Sequence, residues 1–268
     1  MAKVLVFDSG VGGLSIAKGM IDSVPNIQLI FASDNEAYPY GTKTEEQLIP
    51  RVRSVVEKLI DHVSADILVV ACNTASTVVL PTLREQLDIP VVGVVPAIKP
   101  AVKVSNNGKI GVLATPATVK RQYTQDLIDS FANDCNVSLL GSSELVDIAE
   151  QKLHQGKVDE TQLESVLKPW LASENQIDTI VLACTHFPLL KEELNSVFLK
   201  SNRVITWVDS TIGIAKRVNF LIQQNGFSAA HEKLDNQAIF TQQVAQSECF
   251  VDTLQQLQIN TLDTLSVD

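Results

Sequence analysis

The sequence predicts an α/β fold of two pseudo-symmetric parallel-sheet domains. Three observations carry that prediction. Short runs that are apolar nearly throughout alternate with stretches of helical periodicity, the pattern of parallel strands covered by helices on both faces. One strand-to-helix pattern, "LVVACNTAS", returns as "IVLACTHFP", with Cys184 lying 112 residues after Cys72 (184 less 72), about the span of one α/β domain. At 268 residues the chain is long enough for one large domain or two of ordinary size.

The first strands are predicted at Lys3–Asp8 ("KVLVFD"), Ile27–Ser33 ("IQLIFAS"), Asp66–Ala71 ("DILVVA") and Pro90–Val95 ("PVVGVV"). Between them, "VGGLSIAKGMI", "TEEQLIPRVRSVVEKLIDHV" and "NTASTVVLPTLREQL" space their apolar residues as helices do. The stretch Val94–Lys109 holds two prolines and an Asn-Asn-Gly turn and reads as a hinge. The rhythm resumes with the strand Lys109–Ala114, a helix around "ATVKRQYTQDLIDSFA", the strand "NVSLLG", two helical stretches from Glu144 to Ala172, and the strand Asp178–Ala183. After a strand at Arg203–Asp209, "STIGIAKRVNFLIQQ" reads as a helix returning to the first domain. The domains are thus expected at 1–95 plus 208–268 and at 96–207. The tail from Lys233, with "QAIF" and "FVDTLQQL", is too weakly patterned to place. The start "VLVFDSGVGG" also matches "IGVLATPATV" at a similar offset, and two such matches favour an ancient duplication.

Composition limits the function. Hydrophobic residues at 45% and charged residues at 19% describe an ordinary globular chain. A net charge of −10 argues against coating nucleic acid or binding an anionic membrane, so neither partner is expected, while a small anion held by local donors remains open. No apolar run approaches the ~20 residues of a membrane span, and no signal-peptide pattern precedes the first strand, so a cytoplasmic location is expected. The four cysteines, Cys72, Cys135, Cys184 and Cys249, lack the close pairing of a zinc site and are too sparse for a disulfide framework.

The chemistry lies at the repeated strand ends. Open parallel sheets bind ligands beyond the carboxyl ends of their strands, where both Cys72 and Cys184 fall. Two equivalent acid/base groups on opposite faces of one carbon suit racemisation or epimerisation: a thiolate takes a proton from one face and a thiol delivers one to the other. A thiol near pKa 8.5 is drawn toward neutrality by a helix N-terminus or a cation, and each cysteine precedes a predicted helix. For either cysteine alone a buried strand-end thiol is the plain explanation; the matched pair favours catalysis. "DSGVGG" (Asp8–Gly13) ends a strand and opens a helix, where backbone N–H groups bind carboxylate or phosphate. It lacks the G-x-G-x-x-G spacing of a dinucleotide site, and its plain alternative is a tight turn. "YPYGTK" (Tyr38–Lys43), with two aromatic hydroxyls, reads as a loop over a site or a surface turn. His186 is the histidine within two residues of a candidate catalytic group, whereas His62, His154 and His231 read as packing or surface.

The set "FDSGVGGLS", "YPYG", "VVACNTAS", "VVGVVPAIKPA", "GVLATPATVKRQY", "VLACTHFPLL" and "VDSTIGIAKRV", running from about Val6 to Val218, resembles the glutamate racemases of the cofactor-independent aspartate/glutamate racemase superfamily. The resemblance implies interconversion of L- and D-glutamate for peptidoglycan precursor synthesis in a bacterium. It implies two α/β domains around a closed cleft, no pyridoxal phosphate, no metal, and a homodimer. Cys72 would be the base toward D-glutamate and Cys184 the base toward L-glutamate, assisted by Asp8 and His186 respectively. Substrate contacts would fall to Asp8, Ser9, Tyr40, Gly41, Asn73, Thr74, Thr185 and His186, with Thr115 and Thr118 as further hydroxyls. Relatives carry a cysteine-proline stretch and a second proline before an acidic residue where this chain has "GSSELVDIAEQ"; Glu150 aligns with that residue, and the altered context leaves its role open. Relatives activated by a muramoyl-alanine nucleotide carry an N-terminal extension, and because this chain starts at the first strand, such activation is not expected. The rival readings are a racemase of the same superfamily acting on aspartate or another small acid, and a non-catalytic amino-acid-binding or redox-sensing module.

Overall fold

The computed structural model describes residues 1–172, 176–227 and 235–267. It divides into two compact units, Met1–Val94 with Thr211–Asp268, and Val95–Ser210. From the N-terminus come β1 (Ala2–Asp8), α1 (Leu14–Ser23), β2 (Ile27–Ser33), α2 (Glu45–Val63), β3 (Ile67–Val70), α3 (Asn73–Gln86) and β4 (Val91–Gly93). The second unit holds α4 (Ile98–Val104), β5 (Lys109–Ala114), α5 (Pro116–Lys120), α6 (Gln122–Phe131), β6 (Asn136–Gly141), α7 (Glu144–Gln155), α8 (Glu160–Leu171), β7 (Thr179–Leu182), α9 (Lys191–Lys200) and β8 (Thr206–Val208). The chain then returns to the first unit with α10 (Thr211–Gln224), β9 (Asn236–Phe240), α11 (Glu248–Gln256) and β10 (Ile259–Thr264). Among the described residues no helix is long and apolar enough to cross a membrane.

Both sheets are parallel throughout, in the orders β10-β9-β2-β1-β3-β4 and β6-β5-β7-β8. In the first unit, Leu5 and Phe7, Ile30 and Ala32, and Leu68 and Val70 project to one face and join the inner stripes of α2 and α3 in one core. That stripe on α2, Leu48, Val52, Val55, Val56, Leu59 and Val63, has helical spacing, and the helix starts at a Thr44/Gln47 capping box with Glu45 and Glu46 in its first turn. Each fully buried Leu or Val contributes ~1.5–3 kcal/mol relative to exposure, so the stripe fixes which way α2 lies. On the other face Phe240 packs edge-on against both Phe31 and Phe250. The second unit repeats the scheme: Ile110 and Val112 of β5 and Val181 of β7 pack with Ile98 and Ala101 of α4.

The repeat read from the sequence extends to the backbone. β2-β1-β3-β4 and β6-β5-β7-β8 are the same order of strands. Phe7 O accepts from Ala71 N at 2.7 Å, and Leu113 O accepts from Ala183 N at 2.8 Å. Asp8 O accepts from Asp34 N, and Ala114 O from Ser142 N, both at 2.9 Å. Cys72 and Cys184 therefore follow equivalent positions of equivalent strands.

Four expectations change. The hinge stretch Val94–Lys109 contains α4, which packs on α6, β7 and β8. The single helix expected around Ala117–Ala132 is two, because Thr115 caps α5 and Thr118 O accepts from both Arg121 N (3.3 Å) and Thr124 Oγ1 (2.7 Å), leaving Arg121 extended. The strands at Pro90–Val95 and Arg203–Asp209 shorten to Val91–Gly93 and Thr206–Val208. The unplaced tail forms β9, α11 and β10; Lys233 itself lies outside the described residues.

Candidate functional site

In the first unit Asp8, Ser9, Cys72, Asn73 and Thr74 gather at the carboxyl ends of β1 and β3, all buried. Cys72 is the N-cap of α3, so it sits at the positive end of a 14-residue helix. Ser9 Oγ lies 3.7 Å from Cys72 Sγ, and Ser9 N donates to Asp8 Oδ1 at 2.7 Å. The glycines of "DSGVGG" answer to crowding at Gly13: a Cβ there would lie 2.8 Å from Asp8 Cβ, 3.0 Å from Asp8 Oδ2 and 3.1 Å from Phe31 Cε2. Only glycine lets the start of α1 close against Asp8. Asn73 is buried, and its Oδ1 has no hydrogen-bond partner among the described residues.

Tyr40 is 1% exposed, and its hydroxyl donates to Asp34 Oδ2 at 2.6 Å. The Tyr40 hydroxyl thus faces inward, and its pKa stands well above the usual tyrosine value through burial, the Asp34 charge and that hydrogen bond. Gly41, next along, is half-buried. Arg51 of α2 reaches the same carboxylate bidentately, Nε to Oδ2 at 2.9 Å and Nη2 to Oδ1 at 2.6 Å. Burial pushes the Asp34 pKa up, but the hydrogen bonds from Arg51, Tyr40 and Thr241 outweigh it and hold the carboxyl below its ordinary value.

In the second unit Cys184, Thr185 and His186 follow β7 and are buried. His186 Nδ1 lies 3.8 Å from Cys184 Sγ, and its Nε2 lies 2.7 Å from Glu150 Oε1 on α7. Burial disfavours the imidazolium, yet the bonds to Cys184 and Glu150 and their charges outweigh it, lifting the His186 pKa well above the ordinary value. Glu150 thus joins the histidine side of this cluster. The expected helix directly after Cys184 is corrected: a 3-10 turn, Phe187–Leu190, intervenes before α9 begins at Lys191, with Pro188 at the start of that turn. A histidine stands beside Cys184 where Cys72 has a helix end. Thr115 and Thr118 form a helix cap, Oγ1 to Oγ1 at 3.0 Å, with Thr118 fully buried.

Two groups of supporting residues escaped the sequence reading. Asp34, Arg51 and Thr241 lie far apart in the chain, and Lys152, which bonds Leu189 O and Glu193 at 2.7 Å each, braces the turn after His186. None carries a spacing signal. His62 is exposed and His154 half-buried, while His231 lies outside the described residues. Among the described residues no three of His, Cys, Asp and Glu cluster so as to hold a metal ion.

The chain is similar to known proteins over nearly its whole length. The family described as Asp/Glu/Hydantoin racemase matches residues 14–215. A glutamate racemase of Klebsiella pneumoniae is 47% identical over 262 residues, covering 98% of this chain and 91% of that protein. One from Yersinia enterocolitica is 52% identical over 232 residues, covering 86% of this chain and 80% of that protein. The crystal structure of Escherichia coli glutamate racemase in complex with L-glutamate and the activator UDP-MurNAc-ala superposes with a TM-score of 0.90 at 45% identity, covering 99% of this chain and 98% of that one.

Proposed function

The chain belongs to the Asp/Glu/hydantoin racemase family, and from that premise we propose that it interconverts L- and D-glutamate by passing the α-proton between Cys72 and Cys184. Membership makes it an amino-acid racemase. The observation that carries the two-cysteine reading is the recurrence of a buried cysteine just past equivalent strands of two sheets that share a four-strand order, each 6% exposed.

In the L-to-D direction Cys184, as thiolate, takes the α-proton; the C–H electron pair moves onto the α-carboxylate, and Cys72, as thiol, gives its proton to the opposite face. The protein is left with thiol at Cys184 and thiolate at Cys72, the state that runs the reverse reaction. His186 supports the Cys184 thiolate, while Ser9 and the start of α3 support that of Cys72. Asp8 assists by holding Ser9. Asn73 Oδ1 offers a buried acceptor to the substrate ammonium, and backbone N–H groups at Gly41, Thr74 and Thr185 suit its carboxylates. Donors placed around the developing carboxylate charge supply the stabilisation that no single side chain gives. We assign the product D-glutamate to peptidoglycan precursor synthesis in the cytoplasm, in keeping with the muramoyl nucleotide bound by the E. coli protein, and the working form to a homodimer.

Circular dichroism of each glutamate enantiomer with the purified protein tests this. The wild type should bring either enantiomer to zero ellipticity, and Cys72→Ser and Cys184→Ser should each lower turnover in both directions by ~10²–10⁴-fold with unchanged far-ultraviolet spectra. Near-normal turnover by either variant would sink the two-base reading, and faster turnover of aspartate than of glutamate would change the substrate.

A further inference from the structure

We propose that Asp34, Arg51 and Thr241 form a positioning clamp that fixes the Tyr40–Gly41 turn for substrate binding, an inference resting on the glutamate reading above. Asp34 is fully buried immediately after β2, and its N–H donates to Asp8 O, so it adjoins the candidate site through the backbone. Its carboxylate collects three separate parts of the chain: Tyr40 from the turn, Arg51 from α2, and Thr241 Oγ1 from the end of β9 at 2.9 Å. The stitching continues beside it, where Glu36 N donates to Thr241 Oγ1 at 3.1 Å and Asn35 exchanges bonds with Gln242 at 2.8 and 2.9 Å.

Two comparisons separate positioning from plain stability. An ion pair whose carboxylate is buried is weak evidence for stability, because desolvating Asp34 offsets much of its attraction to the partly exposed Arg51. The second unit builds the same strand order with Ser142 in the place of Asp34, where Ser142 Oγ merely accepts from Leu145 N at 3.1 Å, in the first turn of α7. The fold therefore does not require a charged clamp at this position, and the unit that has one uses it to hold a turn. Because the Tyr40 hydroxyl faces inward, the turn can meet substrate only through its backbone, whose position is as firm as the hydroxyl's anchor.

Steady-state kinetics of Asp34→Asn, Tyr40→Phe and the double variant, with both glutamate enantiomers, test the clamp. Each single variant should raise KM about tenfold for both enantiomers, with kcat held within about threefold, as expected for loss of one charge-assisted hydrogen bond that serves binding. The double variant should be no worse than the worse single, because both act through one contact. Unchanged KM in either single variant, a fall in kcat at constant KM, or multiplying effects in the double variant would each overturn the clamp. If Asp34→Asn does not fold, Thr241→Val and Tyr40→Phe are each judged by the same KM and kcat criteria, since their two hydrogen bonds reach separate oxygens of Asp34. A wild type inert toward glutamate would instead overturn the underlying reading, whereas an active wild type with indifferent variants overturns the clamp alone.

Discussion

His186 is held between Cys184 and Glu150, and those two partners give it a pH signature. Its folded pKa is raised above the unfolded value, so its charge contributes stability that is complete below about pH 6.5 and is lost as pH rises through the higher folded value. Glu150→Gln removes one cause of that shift. The stability difference between wild type and this variant, from urea unfolding, should therefore be largest near pH 6 and shrink on the alkaline side; a constant difference would contradict the pairing. Gly13 makes a purely steric prediction. Gly13→Ala should cost ~1–3 kcal/mol in urea unfolding, because Asp8 Cβ cannot yield as a flexible side-chain tip would; a stability equal to wild type would remove crowding as the reason for glycine. The strand-end places of Cys72, Cys184 and His186 were legible because each follows a repeated strand pattern. Asp34 was not, because its partners Arg51 and Thr241 stand 17 and 207 residues away and meet it only through the folded sheet.

Strands were legible where both faces are buried, as in β1, β2 and β3, whose apolar runs leave little else to read. Helix α4 was hidden by prolines, and the break between α5 and α6 by a helical pattern that runs through Arg121 without a sequence stop. The C-terminal elements were hidden differently: β9 is five residues long and acquires its meaning only between β2 and β10. Phe240 marks its worth, since it packs edge-on against both Phe31 and Phe250. Phe240→Ala should destabilise by ~3–5 kcal/mol in chemical unfolding. A loss below ~1 kcal/mol would mean that β9 is an ornament on the sheet and not part of its core.

Two units with one strand order give the chain two cysteines that are equivalent in position but unlike in surroundings, a helix end and Ser9 at Cys72, a histidine and Glu150 at Cys184. If both serve one substrate, binding and chemistry separate cleanly. Saturating D-glutamate at 100 times its Kd should stabilise the protein by ~2.7 kcal/mol, raising Tm by several degrees in Cys72→Ser and Cys184→Ser as in the wild type, since neither thiol is needed to hold the carboxylates. No Tm shift in an otherwise folded variant would mean that the sulfur itself binds substrate. The decisive measurement follows α-deuterium by mass spectrometry in deuterated water, starting from a single enantiomer and stopping well before equilibrium. Two bases on opposite faces place solvent deuterium in the product while recovered substrate stays unlabelled. Equal labelling of substrate and product would reveal one base serving both faces, and no label in either would exclude proton transfer at the α-carbon with solvent-exchanging thiols.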